Sequence, residues 1–123
     1  MIKGLGLDLV EIDRIRRIFL RFGARFCERI LTPAENASLG GDAVRYLSSR
    51  FAAKEAAVKA LGTGFRDGIG FQDIETGADE LGKPSLTLAG AALARARGLG
   101  VARIHLSITH GRDTACAVVV LEG

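Results

Sequence analysis

The sequence predicts an α+β fold in which an antiparallel sheet packs against helices, within one domain spanning residues 1–123. Three observations lead there. Strand-like and helix-like stretches follow the order strand, helices, two strands, helix, hairpin, which is not the strict alternation of a doubly wound sheet. At 123 residues the chain has the length of one ordinary domain. Its apolar and charged fractions, 48% and 25%, are those of a globular chain and not of a disordered one.

Ile2 to Ile12 reads as a strand, with Gly4, Gly6, Asp8 and Val10 on one face and Leu5, Leu7 and Leu9 on the other. Ile12, Ile15, Ile18, Phe19 and Phe22 then recur at helical spacing, with Asp13 placed to cap the helix and Gly23 to end it. Thr32-Pro33-Ala34-Glu35 has capping-box spacing with Pro at the first helical position, so a short helix begins there and stops by Gly40-Gly41. Asp42 can cap a longer helix to Leu61, with Gly62 just past its end and an apolar stripe of Val44, Leu47, Phe51, Val58 and Leu61. Ile69 to Thr76 and Pro84 to Leu88 read as strands joined by a turn through Gly77 to Gly82, and Ala89 to Arg97 as a helix. Two last strands, Arg103 to Thr109 and Thr114 to Leu121, are joined at His110-Gly111-Arg112-Asp113.

The apolar N-terminal stretch is broken by Asp8, Glu11 and Asp13, so it is neither a secretion signal nor a membrane span, and a cytoplasmic protein without a membrane partner is expected. Cys27 and Cys116 have neither the density of a disulfide framework nor metal-ligand spacing. A net charge of +3 is too small to point to nucleic acid. Its distribution is more informative: Arg14, Arg16, Arg17, Arg21, Arg25 and Arg29 fall close together and should draw an acidic partner or phosphates.

A carboxylate at Asp8, amid an apolar strand, costs several kcal/mol or takes up a proton unless a cation, an Arg or backbone donors meet it. In the central helix Glu55 and Lys59 are neighbours at the edge of the stripe, Lys54 falls within it, and the surrounding alanines let another backbone or a ligand come close. Gly62-Thr63-Gly64 beside Lys59 serves either as a helix cap or as a phosphate cradle, and it lacks the order of a P-loop. Gly4-x-Gly6 lacks the third glycine and the helix start of a dinucleotide loop. His110 continues the face of Ile104, Leu106 and Ile108, whereas His105 shares the other face with Ser107 and Thr109, and no nucleophile triad is recognisable.

Four segments together, Gly-Leu-Gly-Leu-Asp-Leu-Val-Glu-Ile-Asp-Arg-Ile, Arg-Phe-Ala-Ala-Lys-Glu-Ala-Ala-Val-Lys-Ala-Leu-Gly-Thr-Gly, Leu-Gly-Lys-Pro and Leu-Ser-Ile-Thr-His, resemble the holo-acyl-carrier-protein synthase family over nearly the whole chain. The resemblance implies a 4′-phosphopantetheinyl transferase-like fold. It also implies Mg²⁺-dependent transfer of 4′-phosphopantetheine from coenzyme A to a serine of apo-acyl carrier protein, in lipid metabolism, releasing adenosine 3′,5′-bisphosphate. Asp8 and Glu55 would be the magnesium ligands, as two carboxylates with a pyrophosphate suit that ion, and Lys59 would sit on the coenzyme phosphates. Arg50, Gly62, Thr63, Gly64, Lys83, Pro84, Thr109 and His110 would line the coenzyme pocket. The first helix would dock the acidic carrier protein, through Arg14 and Arg21 first and Arg17 and Arg25 behind them. A homotrimer with sites shared between subunits is implied as well. A water on the metal, Glu55 and His110 are all candidates to take the serine proton. Gly111, where the family often has a small hydroxyl residue, and Asp79-Glu80, where Asn-Asp or Asn-Glu is commoner, depart from the pattern. The alternative is a non-catalytic module that binds coenzyme A or the carrier protein without releasing adenosine 3′,5′-bisphosphate.

Overall fold

A computed structural model describes residues 1–123, and in it the strands divide into two antiparallel sheets. The elements are β1 (Ile2–Glu11), α1 (Ile12–Phe22), α2 (Ala24–Ile30), α3 (Pro33–Ala37), α4 (Ala43–Leu61), β2 (Ile74–Ala78), β3 (Pro84–Leu88), α5 (Gly90–Gly98), β4 (Arg103–His110) and β5 (Thr114–Glu122). β5 lies between β1 and β4 in a three-stranded sheet, while β2 and β3 form a separate hairpin. The mixed, antiparallel architecture is the expected one, and the division of the sheet refines it.

Period-two patterning places α4. Gly6, Val10, Ala115, Ala117, Val119, Leu121 and Leu106 all face inward on the three-stranded sheet and are buried. Against them lies α4, whose Ala52, Ala53, Ala56, Ala57 and Ala60 are buried too. A Cβ on Gly6 would overlap the Ala56 carbonyl, and one on Gly4 the Ala60 carbonyl. The glycines are therefore required for close strand-to-helix contact. As β1 ascends from Gly4 to Gly6, its neighbour on α4 moves back from Ala60 to Ala56, and Asp8 continues this line toward Glu55 and Lys59.

Several boundaries differ from expectation, each for a local reason. Glu11 occupies the position before α1 and offers no side-chain cap; Asp13 lies within the first turn paired to Arg16, and the Ile12 N–H donates instead to the Asp113 carbonyl. Gly23, with φ of 54°, ends α1 and leads directly into α2, a seven-residue helix the sequence pattern did not suggest because it has no side-chain cap. Residues Phe71–Asp73 form a 3-10 turn where a strand was expected, so that β2 starts at Ile74 and continues through Ala78. The Asp79 carboxylate accepts from the Leu81 and Lys83 amides and so builds the β2–β3 turn. No helix is long and apolar enough to cross a membrane.

The capping box on α3 is present and serves more than its helix. Glu35 Oε1 accepts from the Thr32 amide at 2.8 Å and from Lys54 Nζ at 2.6 Å, while Oε2 accepts from the Thr76 amide at 2.8 Å and its hydroxyl at 2.7 Å. Lys54 Nζ also donates to the carbonyls of Ile30 and Phe71. Both side chains are fully buried. Burial alone would raise the Glu35 carboxyl, but the Lys54 ammonium and the Thr32 and Thr76 donors outweigh it and hold the group below the usual carboxylate range.

Candidate active site

Of the three partners open to Asp8, a cation, an Arg or backbone donors, the fold supplies a cation. Lys59 Nζ lies 3.0 Å from Asp8 Oδ1 and also donates to the Leu7 carbonyl at 3.1 Å. The Asp8 side chain is only 14% exposed, so this ammonium offsets a carboxylate that water reaches poorly. Glu55 shares the site. Burial first, and the negative charge of Asp8 second, push its carboxyl above the usual range, against the opposing pull of Lys59 and Arg14.

The two carboxylates form an oxygen-only donor set, the kind a hard divalent cation prefers. No cluster of three or more His, Cys, Asp and Glu accompanies them. Such a pair suits Mg²⁺, which usually takes one or two carboxylates and completes its shell with water and substrate phosphate. The unfavourable proximity of Asp8 to Glu55 is the physical signature that a cation would relieve.

A second constellation lies on the other side of α4. Arg45, Tyr46, Ser49, Arg50, Pro84 and His110 border a cleft of about 340 Å³. Arg50 follows five residues before Glu55, which turns it by about 140° around the helix. Its Nε donates to Thr76 Oγ1 at 3.1 Å, one Nη1 proton goes to Ser49 Oγ at 2.9 Å, and the guanidinium lies over the Tyr46 ring at 4.3 Å. Arg45 Nη1 lies 3.0 Å from His110 Nδ1. A guanidinium has only donors. In this contact Nδ1 of His110 is therefore the acceptor.

The arginine surface borders a third depression, about 560 Å³, between α1, α2 and α4. Arg14, Arg25 and Arg29 rim a floor of Phe22, Phe26, Phe51 and Phe71, and Glu55 stands in its wall. Arg17 and Arg21 are exposed on α1 outside the groove, with the Arg21 guanidinium over the Phe22 ring at 5.2 Å.

Residues 4–119 match the 4′-phosphopantetheinyl transferase superfamily. The chain belongs to that superfamily. A holo-[acyl-carrier-protein] synthase of Solidesulfovibrio magneticus is 58% identical over 123 residues, covering 100% of both chains. Among solved structures, the holo-[acyl-carrier-protein] synthase of Neisseria meningitidis superposes with a TM-score of 0.92 at 44% identity, with 100% of each chain covered. That of Helicobacter pylori, solved in complex with coenzyme A, gives a TM-score of 0.85 at 33% identity, covering 96% of this chain and 99% of the other. Relatives of the synthase type within the superfamily thus share both length and fold with this chain.

The site residues expected from the sequence are distributed unevenly over the three constellations. Asp8, Glu55 and Lys59 come together, and Arg50, Pro84 and His110 come together apart from them. Gly62 caps α4 in the left-handed conformation at φ of 77°, and the Thr63 hydroxyl donates to the Gly64 carbonyl, one turn beyond Lys59. Lys83 borders a separate groove with Pro84 and His105. Thr109 is exposed and pairs with Cys116 on the outer face of the sheet, away from the cleft. Sequence reasoning missed Arg45, Tyr46 and Ser49. Only Tyr46 had a signal, helical spacing, since it precedes Arg50 by four residues and so shares its face.

Proposed function

We propose that this chain transfers 4′-phosphopantetheine from coenzyme A to a serine of apo-acyl carrier protein, with Mg²⁺ held by Asp8 and Glu55. The observation that carries the metal assignment is a pair of neighbouring, poorly hydrated carboxylates with Lys59 3.0 Å from one of them. The ion supplies charge neutralisation to the pyrophosphate oxygens when bound. Lys59 is the flexible cation beside it, suited to stabilising negative charge on the departing phosphate. The serine oxygen forms a bond to the phosphorus that bears pantetheine, the bond from that phosphorus to the bridging oxygen breaks, and the electron pair leaves with adenosine 3′,5′-bisphosphate. A water on the metal, Glu55 and His110 remain the candidates to take the serine proton.

Arg50, His110 and Pro84 hold the coenzyme from one side, with Gly62, Thr63, Gly64 and Lys83 around it, and Thr109 joins them from the outer sheet face of a neighbouring subunit. The basic groove at Arg14, with Arg17, Arg21 and Arg25 around it, receives the acidic carrier protein. A homotrimer fits this arrangement. Leu5, Leu7 and Leu9 are 65%, 60% and 65% exposed in the single chain, and Val120, Val118 and Cys116 adjoin them on β5. An uncovered apolar sheet face of this kind marks an interface. Assembly through it would let the Arg50 cleft of one copy complete the Asp8–Glu55 site of another. Nothing in this reading requires export, and it puts the enzyme in the cytoplasm, where its coenzyme and carrier occur.

Mass spectrometry of apo-carrier protein incubated with the chain, Mg²⁺ and coenzyme A tests the reaction. A phosphopantetheine adduct with equimolar adenosine 3′,5′-bisphosphate is expected; binding without the adduct would establish the non-catalytic alternative. Mixed Glu55→Gln and Arg50→Ala subunits, the first inactive and the second weakened in coenzyme capture, should together exceed the activity of either alone at low coenzyme A if the site is shared.

A further inference from the structure

We propose that Thr76, with the buried Glu35–Lys54 pair behind it, is a positioning residue that fixes the Arg50 guanidinium for the coenzyme. This rests on the reading above that Arg50 contacts coenzyme A. The direction of every proton in the chain of contacts is determined. Lys54 Nζ has three protons and three acceptors, Glu35 Oε1 and the carbonyls of Ile30 and Phe71, so none is free to rearrange. Glu35 is ionised and acceptor-only, and it takes the Thr76 hydroxyl proton at 2.7 Å. The Thr76 oxygen therefore presents only lone pairs toward Arg50, whose Nε donates to it at 3.1 Å.

A free threonine hydroxyl rotates; this one cannot, because turning its proton away would leave a buried carboxylate with one donor fewer. Nε is thus held at one end of the guanidinium and one Nη1 proton at Ser49 Oγ, while the Tyr46 ring supports the plane at 4.3 Å. Five N–H donors less these two leave three, all on the two Nη nitrogens. Arg50 borders the cleft it shares with Arg45 and His110. A planar fork held at its rear edge and free at its front is preorganised for bidentate contact with an anionic group. Ordering that side chain before binding removes an entropic cost from coenzyme capture.

A buried ion pair contributes little to stability relative to apolar residues of the same shape. Its fixed proton directions give this one a use that apolar residues would lack.

Thr76→Val keeps the volume and the backbone N–H to Glu35 and deletes only the hydroxyl. The KM for coenzyme A should rise about five- to tenfold, with kcat and the KM for carrier protein nearly unchanged, and Thr76→Ser should restore it. Arg50→Ala is measured beside it and combined with Thr76→Val. In the Arg50→Ala background, Thr76→Val should add nothing. If Arg50→Ala leaves the coenzyme KM unchanged, the reading of Arg50 as a coenzyme contact is wrong. If Arg50→Ala raises it and Thr76→Val does not, or if Thr76→Val retains its full effect without Arg50, the positioning role is overturned.

Discussion

Gly6→Ala tests how closely the site depends on strand-to-helix contact. The added Cβ would overlap the Ala56 carbonyl oxygen and stand 2.7 Å from the Ala60 nitrogen and 2.9 Å from the Ala56 carbonyl carbon, where ordinary contact begins at 3.4 Å. All three obstacles are backbone atoms of a buried helix, so no side chain can swing aside. β1 must retreat from α4 by about 1 Å, at an overpacking cost of about 1–3 kcal/mol. The domain should remain folded at room temperature, because total stability is typically about 5–15 kcal/mol. Asp8 lies two residues along the same face and moves with the strand, whereas Glu55 and Lys59 stay with the helix. A displacement of about 1 Å at a reacting centre can reduce the rate about a hundredfold. The assay is phosphopantetheine transfer by mass spectrometry at saturating substrates, with thermal unfolding in parallel. Gly41→Ala, where a new Cβ meets nothing within 4 Å, is the control and should leave both unchanged. A folded Gly6→Ala protein with transfer within about threefold of the parent would show that β1 does not set the spacing of the site.

Glu55→Gln should reduce transfer at least about a hundredfold through loss of the metal site, and it should raise the melting temperature of the metal-free protein at neutral pH. The Glu55 carboxyl is raised in the folded state, so its favourable contribution exists below its ordinary titration range and is lost as pH rises through the folded value. The difference in melting temperature should therefore shrink on acidification, and a lower melting temperature at neutral pH would contradict the reading. Lys54→Met leaves Glu35 buried and unpaired and should cost about 3–5 kcal/mol in urea unfolding at neutral pH. The Glu35 carboxyl is held low, so its pairing stabilises above its unfolded range and is lost as pH falls through the folded value; the penalty should diminish toward acid. Arg14→Ala should raise the KM for carrier protein roughly three- to tenfold, less at high salt, without changing that for coenzyme A. Equal effects on both substrates would count against the docking groove.

Elements with strong local chemistry were legible before the structure. The alternation in β1, the capping box at Thr32–Glu35 and the run from Asp42 to Gly62 all lie where the pattern put them, because period, cap and glycine agree within one segment. α2 was not legible, since Phe26, Cys27 and Ile30 form a buried face too short to establish a period. The need of Asp8 for a cation, an Arg or backbone donors could be read from its apolar neighbours, but that Lys59 meets it could not, because 51 positions separate them. The meaning of Gly4 and Gly6 was equally long-range and depended on the alanines of a distant helix. Arg45 was invisible as a site residue for the same reason, since only the fold brings it to His110.

The Glu35–Lys54 pair also constrains how this sequence can change. Replacing either partner alone strands the other charge in the interior, at a penalty of about 3–5 kcal/mol, a large part of the stability of a small domain. Replacing both with apolar residues removes the charges but leaves the amides of Thr32 and Thr76 and the carbonyls of Ile30 and Phe71 without the partners they now have. Substitution at these positions must therefore be nearly simultaneous, over segments from residue 30 to residue 76. Drift by single accepted steps is blocked there whether or not the pair contributes to net stability, and lineages that part with one of these residues should have parted with several.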